Sequence, residues 1–236
     1  MKGPALLAFM RHARSLMNEG RKGVFWKDDK ERELFKDLPD EKVPLAPEGW
    51  RELKETAPAL FRKYRPFDVV INSGYLRTVQ TMEGVLSIYD SAERCRVVIK
   101  QDINFRERES GFCYNMTEAE VREWFPWLDG YWKLHGSFLA RPPGGESVAD
   151  VCLRVKPGLN DIAKRYPGKK VLIVTHGRTV HACEFVVEGW TIEEMREVLK
   201  HDPANASLTV YKEDVRGELR LLERDAVYYS TTPGPA

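Results

Sequence analysis

The sequence predicts an α/β fold of three layers, α/β/α, with a mainly parallel central sheet and helices on both faces. Three observations predict it. Short apolar runs at Leu6–Met10, Asp68–Ser73, Arg96–Lys100 and Lys170–Thr175 have the length of strands. Helical segments separate these runs, the pattern of parallel strands joined by crossovers. The apolar runs also stop on polar groups: Arg11-His12, Ser73 with Arg77 close behind, and His176-Gly177. Packing does not explain a buried strand that stops at a charged pair. In parallel sheets, ligands bind beyond the carboxyl ends of the strands.

Taken in order, Leu6–Met10 reads as a buried strand delivering Arg11-His12 at its end. Residues 19–46 are polar and broken by Pro39 and Pro44, an excursion with one short helix near Lys30–Phe35. Pro47 sits just inside a helix over Glu48–Tyr64, with a kink expected at Pro58. The strand Asp68–Ser73 is closed by Gly74, and a helix over Leu76–Tyr89 follows. Arg96–Lys100 is the third strand, and residues 102–116 read as a loop. Thr117 with Glu120 forms a capping box for a helix that Pro126 ends. Residues 126–145 are aromatic and turn-rich, so residues 112–145 form a second helical and loop insertion. Ser147 opens a long helix to Tyr166, and Lys170–Thr175 is the strongest strand signal. Helices are expected after His176 and over Ile192–Leu199. Ser207–Lys212 and Glu218–Glu223 then form a hairpin around Arg216-Gly217. Residues 1–230 are expected to form one domain, with 231–236 a disordered tail.

A chain of 236 residues buries enough surface to need no staples. Its net charge of +1 gives no reason to expect nucleic acid or a membrane as partner, so positive charge for an anion must be local. The four cysteines, Cys95, Cys113, Cys152 and Cys183, have no C-x-x-C spacing and read as reduced thiols rather than disulfides or a zinc site. No run is long enough to span a membrane, and Ala5–Met10 is too short for a signal peptide; a cytoplasmic location is expected.

Two imidazoles and two guanidiniums on one sheet rim suit a phosphoryl group. Arginine forks pair with phosphate oxygens two at a time. Histidine can attack phosphorus and later release the phosphate. Several motifs then match one family. Arg11-His12-Ala13-Arg14-Ser15 with Asn18 resembles the R-H-G-x-S-x-x-N signature of the histidine phosphatase superfamily, also called phosphoglycerate mutase-like. Pro44–Gly49, Ser73–Thr81, Arg106–Gly111, Pro143–Ser147, Val174–Gly177 and Asn205–Ser207 resemble further elements of that family, in its order. The resemblance runs from residue 6 to about 223.

The resemblance implies that His12 is the nucleophile, that Arg11 and Arg77 hold the phosphate with Asn18 and Gly177, and that His176 donates to the same oxygens. Glu107 is implied as general acid and base, with Glu109 the competitor. No metal and no cofactor are implied. Two departures stand out. Ala13 replaces the usual glycine, which either strains the backbone or narrows the pocket. Arg14 either joins Ser15 in contacting a substrate with a second acidic group or pairs with a local carboxylate. His135, His181 and His201 match no motif and read as structural or surface residues. The aromatic group at Trp124, Phe125, Trp127, Tyr131 and Trp132 reads mainly as packing, and Glu146-Ser147 as a helix start.

Three functions remain. The first is a phosphatase acting on small-molecule phosphate monoesters through a phosphohistidine. The second is a phosphoglycerate mutase-type phosphotransferase. The third is a non-catalytic module that binds a phosphorylated ligand. Only 38 residues, 108–145, separate Glu107 from Glu146, a span that resembles the phosphatases of the family. The sequence leaves open a homodimer as the assembly.

Overall fold

The computed structural model describes residues 3–21, 23–64 and 66–230. Their strands are β1 (Leu6–Arg11), β2 (Val69–Asn72), β3 (Val98–Gln101), β4 (Lys170–Thr175), β5 (Leu208–Glu213) and β6 (Leu219–Ala226). They form one six-stranded sheet in the order β3-β2-β4-β1-β5-β6. The first four are parallel; β5 is antiparallel to β1, and β6 to β5. The expected α/β/α architecture is therefore the observed one.

Strand alternation divides the core in two. Leu7, Phe9, Ile71, Val171 and Ile173 face one helical layer. Ala8, Met10, Val70, Leu172 and Val174 face the other. β4 lies between β1 and β2 and is covered on both faces, so Val171 to Val174 are all 0% exposed. Burying each such side chain contributes about 1.5–3 kcal/mol. That double covering explains why this strand reads as an unbroken apolar run.

The first excursion carries α1 (Leu16–Gly20) and α2 (Asp29–Arg32). One helical layer uses α3 (Pro47–Tyr64) and α4 (Leu76–Leu86), and α5 (Ser91–Arg96) follows. The second excursion holds α6 (Glu118–Trp124) and α7 (Leu128–Leu139). The other layer uses α8 (Val148–Arg165) and α9 (Gly177–Glu188), followed by α10 (Ile192–Val198).

Four expectations are corrected. α3 runs through Pro58 as one helix. The helix expected over Leu76–Tyr89 ends at Leu86, and β3 starts two residues late, because Asp90 and Glu93 form a capping box that starts α5. Ser15 and Asn18 likewise cap α1, a helix the motif-bearing segment does not advertise. Residues 126–145, read as turn-rich, contain α7, which kinks at Gly136 (φ 71°). Packing overrides propensity there: Trp132 stacks on Phe25, centroids 5.7 Å apart, and Leu128 and Phe138 are buried.

The two excursions close on each other. Trp26 N–H donates to Met116 O at 3.2 Å, Glu118 N–H to Trp26 O at 2.9 Å, and Arg32 pairs with Glu120 at 2.7 Å. Together they raise a wall over the carboxyl ends of the parallel strands. No helix among the described residues is long and apolar enough to cross a membrane. The four cysteines are unpaired thiols, and only Cys95 is exposed. The tail at 231–236 lies outside the described residues.

Candidate active site

Strand geometry delivers His12. Its N–H donates to Thr175 O on β4 at 2.8 Å, and its own carbonyl accepts from Asn205 Nδ2 at 3.1 Å and Ala206 N at 3.3 Å. The Asn205–Ser207 segment thus clamps the backbone that carries the imidazole, with Ala206 held left-handed at φ 52°. His12 Nδ1 lies 2.8 Å from Ala13 O. A carbonyl can only accept, so Nδ1 carries the proton and Nε2 keeps its lone pair. Burial, then Arg77 and Arg11, hold the His12 pKa well below its ordinary value, so the ring is neutral near pH 7. The result is a fixed, uncharged imidazole with a free Nε2.

His176 is fully buried, its ring centroid 5.3 Å from that of His12. Its Nε2 lies 2.8 Å from Ser73 Oγ. The Thr78 hydroxyl donates to Tyr75 O, so the Ser73 hydroxyl donates to Thr78 Oγ1 and the His176 Nε2–H donates to Ser73 Oγ. Nδ1 then keeps its lone pair and, among the described residues, has no hydrogen-bond partner, with Glu107 Oε2 3.4 Å away. Burial and the neighbouring cations also hold His176 neutral, so that contact is not an ion pair.

Arg11 and Arg77 complete the group. Arg11 donates to Pro203 O, and its buried Nε has no partner. Arg77 is 4% exposed and pairs with Asp40, Nη1 to Oδ1 at 2.9 Å, while also donating to Asp40 O at 2.6 Å. Buried polar nitrogens seldom go unpaired. Arg11 Nε, unpaired among the described residues and beside the Arg77 guanidinium, is a donor for an anion.

Glu107 Oε2 lies 4.0 Å from Arg77, and Glu107 Oε1 accepts from Arg108 N at 2.8 Å. Burial raises the Glu107 pKa, opposed by Arg77 and reinforced by Asp40. Glu109 is exposed; its carboxylate accepts from Gly111 N at 3.1 Å and does not line the cavity. The Glu107 loop is pinned from behind. Arg154 Nη2 donates to Arg106 O and Glu107 O at 3.0 Å, while Glu146 binds Arg154 at 2.9 Å and Arg106 at 2.6 Å. Glu146 therefore does more than start a helix. Gly111 adopts φ 57°, and a Cβ there would lie 2.2 Å from Pro143 O, so the loop requires glycine.

The other predicted residues divide. Asn18 and Ser15 line the cavity; Asn18 Oδ1 accepts from Ser15 Oγ and Asn205 Nδ2, leaving its amide nitrogen for a ligand. Gly177 opens α9, where a Cβ would lie 3.5 Å from Arg11 Nε. Ala13 is fully buried and lacks a positive φ, so it carries no strain. Arg14 departs from the substrate-contact expectation. It turns away from the cavity onto buried Glu52, Nε to Oε1 at 3.3 Å, because Glu52 also takes the Arg14 N–H at 2.8 Å. His181 is held by Glu184 and the His201 carbonyl, as a structural histidine. His135 and His201 are exposed surface residues.

The cavity over this group measures about 510 Å³, and among the described residues its wall carries five arginines against three carboxylates. Sequence reasoning missed Asp40, Arg21, Arg108 and Arg178. Only Arg108 had a signal, its place beside Glu107; Asp40 and Arg21 arrive through the first excursion, and Arg178 through α9. His12, Glu107 and His176 also place one ligand atom each within 4.8 Å of one another. Two guanidiniums beside them oppose a divalent cation there.

Comparisons with known proteins agree with this geometry. The model of the histidine phosphatase superfamily (branch 1) matches residues 7–223. A protein of Rhizobium etli named 2,3-bisphosphoglycerate-dependent phosphoglycerate mutase is 30% identical, covering 80% of this chain and 87% of its own. Among solved structures, the mycobacterial glucosyl-3-phosphoglycerate phosphatase complexed with VO3 superposes with TM-score 0.69 at 20% identity, over 94% of this chain and 99% of its own. Bacillus stearothermophilus YhfR superposes with TM-score 0.72 at 22% identity, over 94% and 97%. With two imidazoles, a cation set and a carboxylate on the predicted rim, and with the family model spanning nearly its whole length, this chain belongs to the histidine phosphatase superfamily, branch 1.

Proposed function

We propose that this protein hydrolyses small-molecule phosphate monoesters through a phosphohistidine on His12, without a metal ion. The observation that carries the reading is the neutral His12 ring, its Nδ1 committed to Ala13 O and its Nε2 free beside Arg11 and Arg77. In the first step Nε2 bonds to phosphorus as the ester P–O bond breaks. Glu107, whose pKa burial raises, gives a proton to the departing alkoxide. In the second step water attacks the phosphohistidine, Glu107 takes the water proton, and the P–N bond breaks to release phosphate. Arg11 and Arg77 meet the charge on the equatorial oxygens.

A phosphoglycerate mutase reading is favoured by the names of the curated relatives. The short span before Glu146 does not count against it, since mutase-named relatives match this chain over 87% and 91% of their own lengths. The cavity supports hydrolysis instead. Pockets of about 300–1,000 Å³ hold ligands far larger than a three-carbon acid, and at 510 Å³ this one leaves room for water beside such a substrate. A mutase must keep its phosphohistidine from water.

The deciding experiment measures phosphate release from p-nitrophenyl phosphate in EDTA, with His12→Ala as control. Turnover that vanishes in the variant is expected; full activity in His12→Ala removes the proposed nucleophile. Interconversion of 2- and 3-phosphoglycerate primed by the bisphosphate, faster than phosphate release, would select the mutase.

A further inference from the structure

The catalytic cavity does not end at the catalytic group. A second cavity of about 370 Å³ shares Val24, Arg108 and Arg178 with it. Beyond those residues its walls are Trp132, Ala140 and Val148, with Ser137 and Lys133 at the edge. The two hollows adjoin at Val24, Arg108 and Arg178: the first holds the phosphate donors, and the second presents an aromatic and aliphatic surface.

The junction is cationic and incompletely neutralised. Arg108 is partly buried, and its guanidinium donates to Glu146 O at 3.2 Å and, among the described residues, forms no ion pair with a carboxylate within 4.0 Å. Arg178 donates to Leu199 O at 2.9 Å and pairs with Asp202, itself exposed, at 3.1 Å. Burying a guanidinium without an acid partner is costly, and an incoming anion offsets that cost. The annex behind them has the opposite character. One face of Trp132 is stacked on Phe25, which fixes its orientation as a wall.

We propose that the substrate is a phosphomonoester whose leaving group carries a second anionic group, seated between Arg108 and Arg178, and beyond it a flat or branched apolar portion packed against Trp132 in the annex. This rests on the phosphatase reading and deepens it. A three-carbon acid would leave the annex empty. A neutral alkyl phosphate would leave Arg108 without its counter-charge.

Three probes take the two-part site apart without any mutation. The complete probe is 2-phosphooxy-3-phenylpropanoate. Phosphoglycolate lacks its benzyl group, and 2-phenylethyl phosphate lacks its carboxylate. The expected kcat/KM for the complete probe exceeds that of each truncated probe by about tenfold or more, since hydrophobic pockets discriminate even single methylenes about 10–200-fold. Ser137→Trp, at an exposed position, fills the annex and brings the complete probe down to the level of phosphoglycolate. Arg178→Gln brings it down to the level of 2-phenylethyl phosphate. Hydrolysis of all three within twofold of one another, lost in His12→Ala, overturns the two-part site and leaves the phosphatase reading standing. No hydrolysis of any probe, nor of p-nitrophenyl phosphate, removes that reading and the two-part site with it.

Discussion

At the scale of single residues, one hydrogen bond decides the chemistry. The Ala13 carbonyl holds the His12 Nδ1 proton and leaves Nε2 unprotonated, while burial and two arginines keep the ring neutral. Burial shifts Glu107 the opposite way, toward its protonated form. His12 is lost as a nucleophile only as pH falls below its ordinary value near 6.5, and Glu107 is lost as an acid as pH rises past its raised value. A bell-shaped kcat/KM profile with its optimum on the acid side of neutrality is expected; a profile flat to pH 9 contradicts the assignment. Glu107→Gln should slow an alkyl phosphate by about 10²–10⁴-fold. A leaving group as good as p-nitrophenolate needs no proton, so its burst phase should slow far less. Equal losses for both would point to another role for this carboxylate. Glu109→Gln, outside the cavity, should change neither rate.

At the scale of elements, the family motifs outside the catalytic group turn out to be contacts between segments. A Cβ at Gly49 would lie 2.2 Å from Arg14 O, so this glycine lets α3 start against the loop that carries His12. Gly49→Ala should cost about 1–3 kcal/mol through overpacking. Urea unfolding measures it, and an unchanged midpoint would show that the loop gives way freely. Glu146 and Arg154 brace the Glu107 loop from α8. Glu146→Gln keeps the shape and removes the charge, so it should lower kcat more than it raises KM for phosphate esters. A pure KM effect would mean that the brace does not position Glu107. None of these contacts is visible as a spacing, because each joins residues far apart in the chain.

At the scale of the whole molecule, the site sets limits on stability. His12 and His176 are buried in neutral form, with folded pKa values below their unfolded ones. Below pH about 6.5 the unfolded chain binds more protons than the folded one. Stability should therefore be full above that pH and fall as the solution is acidified through the histidine range. Glu107 works oppositely, since its raised folded pKa removes stability as pH rises past the ordinary carboxyl range. Thermal melts from pH 5 to 8 with and without inorganic phosphate test this balance. Phosphate at about 100 times its Kd should add about 2.7 kcal/mol, and the gain should vanish in Arg77→Ala. A gain that survives in that variant would place the anion elsewhere.

The sequence alone determined the layered α/β architecture, the parallel strands and their order of polar ends, because apolar runs and helical periodicity are local signals. It also named His12, His176, Arg11, Arg77 and Glu107, because strand ends and ordered motifs are written along the chain. Tertiary structure decided the rest. It turned Arg14 onto Glu52, made a helix of residues 128–139, set Asp40 on Arg77, and brought Arg21, Arg108 and Arg178 to the same wall. Where a charged side chain points depends on which buried carboxylate or carbonyl it meets. Those partners come from segments tens of residues away, and only the packed fold brings them within reach.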